Sequence, residues 1–173
     1  MRLTDGALEL RSPTEADAPA IARACQDPEI KRWLPQMPSP YTEADALAYV
    51  RGEAVPGELS LVVVVDGALV GAIGLRRPGA GIGELGYWCA ADRRGEGWTT
   101  RAVRLLARHA FDQLEVERLQ LVAEPGNAAS RRVAVKAGFT PEGILRAYIR
   151  HRDGRRTDAV MFSRLPGDPV DPI

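Results

Sequence analysis

The sequence predicts a single α/β (α+β) domain in which a mixed, mostly antiparallel central sheet of about seven strands is flanked by about four helices. Two apolar runs joined by Asp66-Gly67 give the strongest short-range signal for a β-hairpin. A helical apolar stripe separates a strand at residues 83–90 from the next strand, at residues 118–123. This order requires a right-handed crossover between parallel neighbours. The other strands are joined mainly by hairpins, so we expect parallel and antiparallel pairs in one sheet.

The N-terminal part of the chain carries one strand and two helix starts. Residues 8–11 alternate between apolar and polar side chains, which predicts the first strand. Thr14 is a predicted N-cap with acidic residues in the first turn, and it opens a helix that ends near Cys25. Thr42 repeats this cap signature and opens a second helix through Val50.

Residues 27–40 predict a loop, because four prolines interrupt the segment. Its middle is apolar and contains Trp33, Leu34 and Met37. Large apolar side chains are seldom left in solvent, so we expect this loop to pack over a groove or over a partner subunit. A loop that folds back onto the core of its own domain explains the composition equally well.

The rest of the chain alternates between strands and helices. Strands are predicted at residues 59–65, 68–75, 83–90, 118–123, 139–150 and 157–165, a loop at 76–81, and helices at 97–113 and 128–137. Gly138 is the expected glycine just past the end of the last helix. Residues 166–173 contain three prolines and are predicted to form a loose C-terminal tail.

Composition and charge exclude several classes of protein. At 173 residues, with 45% hydrophobic and 27% charged residues, the chain has the composition of one soluble globular domain. Lys plus Arg and Asp plus Glu both number 23, so no net field attracts nucleic acid or a membrane. Cys25 and Cys89 have no CxxC or metal-ligand spacing, which predicts free thiols and no metal. The N-terminus lacks the apolar segment of a signal peptide, so we expect the cytoplasm.

The segment Arg93–Thr99 combines the features of an anion-binding turn. Gly95 and Gly97 let the backbone approach a bulky anion, and the following helix offers unpaired N–H groups and the positive end of its dipole. Phosphate is a typical ligand of such a turn, although the same Gly-x-Gly also occurs in plain strand-to-helix turns. No P-loop lysine follows Gly97 and the third glycine of a dinucleotide fingerprint is missing, which argues against ATP hydrolysis and dinucleotide binding.

The order and spacing of three groups of residues resemble the GNAT acetyltransferases: Arg93-Arg94-Gly95-Glu96-Gly97, Asn127-Ala128-Ala129-Ser130 and Lys136-Ala137-Gly138-Phe139. Three further segments resemble the RimJ/RimL-like branch, which modifies ribosomal-protein N-termini: residues 10–14, 86–88 and 154–158. The resemblance covers residues 7–165 of a chain that is predicted to form one domain over residues 1–173. It implies the acyl-CoA acyltransferase fold, in which the fourth and fifth strands splay apart.

The resemblance implies that acetyl-CoA is the co-substrate and that backbone N–H groups hold its pyrophosphate. The implied residues of this turn are Arg93, Arg94, Gly95, Glu96, Gly97, Trp98 and Thr99. The pantetheine arm is expected along the fourth predicted strand, at Tyr87, Trp88 and Cys89. Asp92 stands where the family has Gln or Arg, so we expect it to point away while Arg93 or Arg94 supplies the charge. Asn127 matches a family asparagine near the cofactor's thiol end, and it is also a predicted helix cap.

Acetyl transfer to an amine requires loss of the ammonium proton, stabilisation of the oxyanion and protonation of the CoA thiolate. Ser130 stands where the RimL-like branch has a serine proposed as the acid, whereas Ala134 stands where many GNAT enzymes have a tyrosine. The acid is therefore expected to be Ser130 or a water, unless Ser130 is only a polar residue of the first helical turn. Glu84 is the first candidate for the base, acting through water, and a solvent-exposed strand glutamate is its alternative explanation.

The expected acceptor is a primary amine on a protein N-terminus, a free amino compound or an antibiotic. The hairpin at residues 148–156 is basic, which suits an acidic peptide or a ribosomal surface, although a solvated hairpin tip explains the charge as well. A homodimer is common in the RimJ/RimL-like branch, and the apolar loop with Trp33 and Met37 is a candidate for its contact. The alternative functions are an acyl-CoA-binding domain without turnover and a nucleotide-binding regulator.

Overall fold

The computed structural model describes residues 1–170, which fold around one eight-stranded sheet. Its strands are β1 (Arg2–Asp5), β2 (Leu8–Arg11), β3 (Leu59–Val65), β4 (Ala68–Gly79), β5 (Ile82–Cys89), β6 (Arg118–Ala123), β7 (Thr140–Arg150) and β8 (Arg156–Arg164). The α-helices within these residues are α1 (Ala18–Ala24), α2 (Pro28–Trp33), α3 (Glu43–Val50), α4 (Trp98–Gln113) and α5 (Ala128–Lys136). The strand order is β1-β2-β3-β4-β5-β6-β8-β7, and within residues 1–170 only β5 and β6 pair in parallel. The predicted mixed, mostly antiparallel sheet is confirmed.

The sheet has one strand more than the sequence predicts, and one strand is longer. β1 pairs with β2 across a turn in which Gly6 has a φ of +59°. Leu3 is the only apolar residue of β1, so the sequence has no apolar–polar alternation that would predict this strand. β4 continues through Arg76 to Gly79, where a loop is predicted, because Arg76 lies opposite Glu84 of β5 and is ion-paired with it. The predicted fourth and fifth strands are therefore β5 and β6.

The prediction of a loop over residues 27–40 is wrong for its first part, which forms α2. Asp27 is the N-cap of this helix, and its side chain accepts a hydrogen bond of 3.1 Å from the backbone N–H of Glu29. Pro28 occupies the first helical turn, where a missing N–H costs nothing. The sequence analysis treated this proline as a helix breaker, although together with Asp27 it is a helix-start signal.

Two apolar clusters lie on opposite faces of the sheet. Helices α4 and α5 cover one face, where Leu106 packs in one cluster with Leu85 and Leu121. Helices α1 and α3 contribute to the other cluster, where Ile21 packs with Val62. No helix within residues 1–170 is both long and apolar enough to cross a membrane.

The two central strands β5 and β6 pair at only one end. Their parallel ladder covers Ile82–Glu84 of β5 against Arg118–Gln120 of β6. Beyond it, β5 stays paired with β4 and the second half of β6 stays paired with β8. Residues 85–89 of β5 therefore have one edge without a strand partner within residues 1–170. The predicted splaying of these two strands is confirmed.

The predicted loose tail is described only as far as Val170. Pro169 and Val170 lie against Gly138, whose φ of +84° suits a glycine that follows a helix. The remaining residues of the predicted tail, 171–173, lie outside the described residues.

Candidate active site

A cavity of about 450 Å³ lies where β5 and β6 separate. It opens on both faces of the sheet, because Tyr87 and Trp88 are adjacent in a strand and both line it. Every predicted site residue except Glu84 and Glu96 lines this cavity. Five further lining residues come from segments that the sequence analysis expected at the acceptor side, residues 27–57 and the hairpin at 148–156: Glu29, Ile30, Trp33, Leu34 and Ile149. It assigned to the site none of the four lining residues of β6 and its end: Leu121, Val122, Ala123 and Glu124.

The turn between β5 and α4 has the geometry of an anion-binding site. Gly95 and Gly97 have φ angles of +83° and +87°, in the left-handed region where a residue with a Cβ is strained. Gly97 is the N-cap of α4 and provides no side chain to cap the helix. The first N–H groups of α4 are therefore available to an anion in the cavity.

The two arginines of this turn are held by acidic partners. Arg93 Nη2 lies 3.1 Å from Glu96 Oε2, and Trp98 Nε1 donates a hydrogen bond of 2.7 Å to the same oxygen. The hydrogen bonds from Arg93, first, and from Trp98 lower the pKa of Glu96. Arg94 is ion-paired with Asp27, the N-cap of α2. Both guanidinium groups therefore lie at the cavity in defined positions, and a phosphate must compete with carboxylates for them.

Two residues that precede the glycines, Cys89 and Asp92, are also compatible with an anion-binding site. Asp92 is exposed and does not line the cavity, as expected for an acidic residue beside an anion site. Cys89 lines the cavity, and burial raises the pKa of its thiol above the ordinary value. A thiol that stays protonated is a poor nucleophile, so these surroundings do not activate Cys89.

Two hydroxyl groups meet at the wall of the cavity. Tyr87 Oη lies 3.0 Å from Ser130 Oγ and 3.2 Å from the backbone oxygen of Ser130. Burial raises the pKa of Tyr87 to about 12, so its phenol is protonated at neutral pH. Asn127 Oδ1 accepts a hydrogen bond of 3.0 Å from the Ser130 N–H, which makes Asn127 the N-cap of α5. The sequence analysis assigned Tyr87 only to cofactor binding, because no motif singles out its hydroxyl.

Glu84 is not among the cavity-lining residues. It lies on the α1 and α3 face of β5, directly opposite Arg76, and the two side chains form an ion pair. Two positions along β5, Gly86 is exposed and has open space beside its Cα. The function of Glu84 as the base stays a prediction.

The sequence analysis missed a pair of titratable residues at the opposite side of the cavity. Glu124 follows β6 and lines the cavity, and its Oε1 lies 3.1 Å from His151 Nε2. The His151 side chain is 11% exposed and the Glu124 side chain 13% exposed. No sequence signal links them, since 27 residues separate the two positions. Only the β7–β8 hairpin brings them together.

Helix α2 lies at the same side of the cavity. Trp33 and Ile30 line it, and the ring of Trp33 reaches the Cα region of Gly126 beside Asn127. Further along the segment, Gln36 Nε2 donates a hydrogen bond of 3.1 Å to the backbone oxygen of Arg150. Both predicted placements within the chain are observed, because Trp33 and Leu34 line the cavity whereas Met37 packs against the apolar cluster on the α1 and α3 face of the sheet.

An open mixed sheet, splayed beside an uncapped helix N-terminus, defines an acyl-CoA acyltransferase fold. A family model described as acetyltransferase (GNAT) domain matches residues 7–140. The chain therefore belongs to the GNAT acetyltransferase family and is an N-acetyltransferase.

Known relatives and solved structures support this classification. The chain is 30% identical over 165 residues, covering 91% of itself and 90% of the relative, to the "Putative ribosomal N-acetyltransferase YdaF" of Bacillus subtilis (strain 168). It is 29% identical over 87 residues to the ribosomal-protein-serine acetyltransferase of Escherichia coli (strain K12), covering 49% of each chain. The structure matches Mycobacterium smegmatis RimJ in complex with CoA-disulfide with a TM-score of 0.82 and 25% identity, covering 96% of this chain and 86% of RimJ.

Proposed function

We propose that this N-acetyltransferase takes its acetyl group from acetyl-CoA and transfers it directly to a primary amine, with a protein N-terminus as the first candidate acceptor. One observation carries the proposal: the unpartnered edge of β5 and the uncapped N-terminus of α4 open into the same cavity. The names of the ribosomal N-acetyltransferase relatives support a protein N-terminus as the acceptor.

The described residues fit acetyl-CoA in two ways. The N–H groups that follow Gly97 bind the pyrophosphate, with Arg93 and Arg94 beside it as additional donors. The unpartnered edge of β5 at residues 85–89 binds the amide groups of the pantetheine arm, as a sheet edge binds an added strand. Asn127 keeps its cap to Ser130 through Oδ1, which leaves its side-chain N–H groups to the cofactor.

The chemistry follows from where these groups lie. The amine nitrogen attacks the thioester carbon, a C–N bond forms, and the C–S bond breaks as the sulfur leaves as thiolate. A backbone N–H of the unpartnered β5 edge stabilises the carbonyl oxygen as it gains charge. The hydroxyl pair Tyr87–Ser130 protonates the leaving sulfur, because both hydroxyls lie at the cavity and the phenol keeps its proton at neutral pH.

The test is a CoA-release assay in which acetyl-CoA is combined with free amines, aminoglycosides and peptides that begin with serine. Release of CoA thiol that depends on the acceptor, with a mass increase of one acetyl group on that acceptor, is the expected result. If acetyl-CoA raises the melting temperature but no acceptor releases CoA thiol, the chain is an acyl-CoA-binding domain without turnover. If ATP or NAD raises the melting temperature and acetyl-CoA does not, the proposal is wrong.

A further inference from the structure

Glu124 is placed to meet an incoming amine. It follows β6 directly, and its backbone oxygen accepts a hydrogen bond of 2.9 Å from the Asn127 N–H, which closes the turn into α5. Its side chain therefore lines the cavity a few residues from the proposed proton donor Ser130. The other carboxylate that lines the cavity, Glu29, is 52% exposed and accepts a hydrogen bond from the indole of Trp33.

The Glu124 carboxylate lacks a full set of partners. Its Oε1 is buried, and within residues 1–170 no donor is aligned to hydrogen-bond with it. The nearest basic group, His151 Nε2, is 3.1 Å away and also lies 3.0 Å from Thr157 Oγ1. A buried carboxylate oxygen without an aligned donor is costly. Because Oε1 itself is buried, an ammonium group in the cavity meets the part of the Glu124 side chain that is still exposed, and it supplies a cation to a carboxylate that lacks an aligned donor.

The surroundings of His151 fix it behind Glu124. Its backbone N–H donates a hydrogen bond of 2.8 Å to the Arg155 oxygen in the β7–β8 turn, and its ring contacts Thr157 at the start of β8. His151 does not line the cavity. Its contact with the cavity therefore runs through Glu124.

We propose that Glu124 binds the ammonium group of the acceptor and removes its proton, and that His151 and Thr157 are positioning residues for the Glu124 carboxylate. This inference rests on the proposed function and assigns the acceptor end of the same cavity. The ammonium gives one proton to Glu124, and the neutral nitrogen attacks the thioester. The Tyr87–Ser130 pair gives a proton to the thiolate, and the second proton lost by the nitrogen restores that pair. Glu124 returns the first proton to solvent. The products are the amide, CoA thiol and one proton.

The kinetic test compares Glu124→Gln with a matched control. Glu117→Gln is the control, because Glu117 is exposed at the opposite end of the same strand, β6. With a serine peptide as acceptor, Glu124→Gln is expected to lower kcat/KM about 100-fold, within the usual range for a general base, and Glu117→Gln to leave it unchanged. The KM for acetyl-CoA should stay constant in both. His151→Gln should lower kcat/KM about tenfold.

A hydrazide acceptor separates proton removal from a structural role. Its nitrogen is already neutral at pH 7, so Glu124→Gln should cost it less than about tenfold in kcat/KM, against about 100-fold for the amine. An equal loss for amine and hydrazide, or a kcat/KM for the amine within twofold of wild type, would overturn the assignment.

The affinity of the acceptor peptide for the complex of the protein with CoA tests the assignment of Glu124 without requiring turnover. In calorimetry with CoA present, wild type should bind the free serine peptide at least about tenfold more tightly than its N-acetylated form, and Glu124→Gln should remove this preference. If wild type binds the free amine in this way but releases no CoA thiol with any acceptor, the proposed function fails while the binding assignment stands. If wild type shows no preference for the free amine, the assignment of Glu124 fails.

Discussion

The two ends of the cavity are built in different ways. At the end proposed to bind acetyl-CoA, the donor end, a single stretch of chain from Tyr87 to Thr99 supplies the strand edge, both left-handed glycines and the helix N-terminus. The opposite end, proposed to bind the amine, is the acceptor end. At the acceptor end, the lining residues come from α2, from the end of β6 and from β7. The donor end uses mainly backbone groups, with the side chains of Arg93 and Arg94 beside them, whereas the acceptor end uses side chains such as Trp33 and Glu124.

This difference matches the work that each end does. Acetyl-CoA is the same molecule for every acceptor, and backbone N–H groups bind its phosphates whatever the neighbouring side chains are. In the proposed function the acceptor is recognised by side chains, which a few substitutions in α2 or in the β7–β8 hairpin can change without disturbing the sheet. We therefore expect changes at the donor end to affect every acceptor equally and changes at the acceptor end to depend on the acceptor.

The largest effect in the shared middle of the cavity is expected from Tyr87→Phe. Loss of the phenol should lower kcat about 10- to 100-fold for every acceptor, because the leaving thiolate loses its proton donor. The Kd for acetyl-CoA should stay within about twofold, since the backbone edge of β5 is unchanged. Single-turnover CoA release and calorimetry measure the two quantities.

Ser130→Ala is the companion variant. Tyr87 keeps its contact with the backbone oxygen of residue 130, so a smaller loss than that of Tyr87→Phe is expected if the phenol is the immediate donor. A larger loss in Ser130→Ala would make Ser130 the immediate donor. If neither variant lowers kcat, the hydroxyl pair does not protonate the thiolate.

The smallest effect is expected where the two ends touch, at the ion pair between Asp27 and Arg94. Asp27→Asn removes the charge that competes for Arg94 but keeps a good N-cap for α2. The Arg94 side chain is 39% exposed and the Asp27 side chain 15% exposed. An ion pair with one partner in solvent is worth about 1 kcal/mol, so the Kd for acetyl-CoA should fall by about fivefold. Glu15→Gln, which removes the partner of Arg51, is the control and should leave that Kd unchanged. A weaker affinity for acetyl-CoA in Asp27→Asn would mean that Asp27 orients Arg94 toward the phosphate instead of competing for it.

The donor end could be predicted from the sequence more fully than the acceptor end. The β3–β4 hairpin, α4 and the Gly95–Gly97 turn were predicted correctly, because local patterns with strong propensities determine them. β1 was missed because it has one apolar residue, and α2 was missed because Pro28 at a helix start was taken for a breaker. The contact between Glu124 and His151 depends on how β7 and β8 pair, which no local pattern contains.

The central claim is that the turn at Gly95 and Gly97 holds the pyrophosphate of acetyl-CoA. The most direct measurement is the ratio of the Kd for acetylpantetheine, which lacks the pyrophosphate together with the phosphoadenosine attached to it, to the Kd for acetyl-CoA. Gly97→Val should lower this ratio at least about tenfold, because a β-branched residue at a φ of +87° distorts the turn. Gly167→Val, with a matched φ of +88° and open space in the tail, should leave the ratio unchanged. A ratio that is the same in wild type and Gly97→Val, or equal affinities for the two ligands in wild type, would contradict the account.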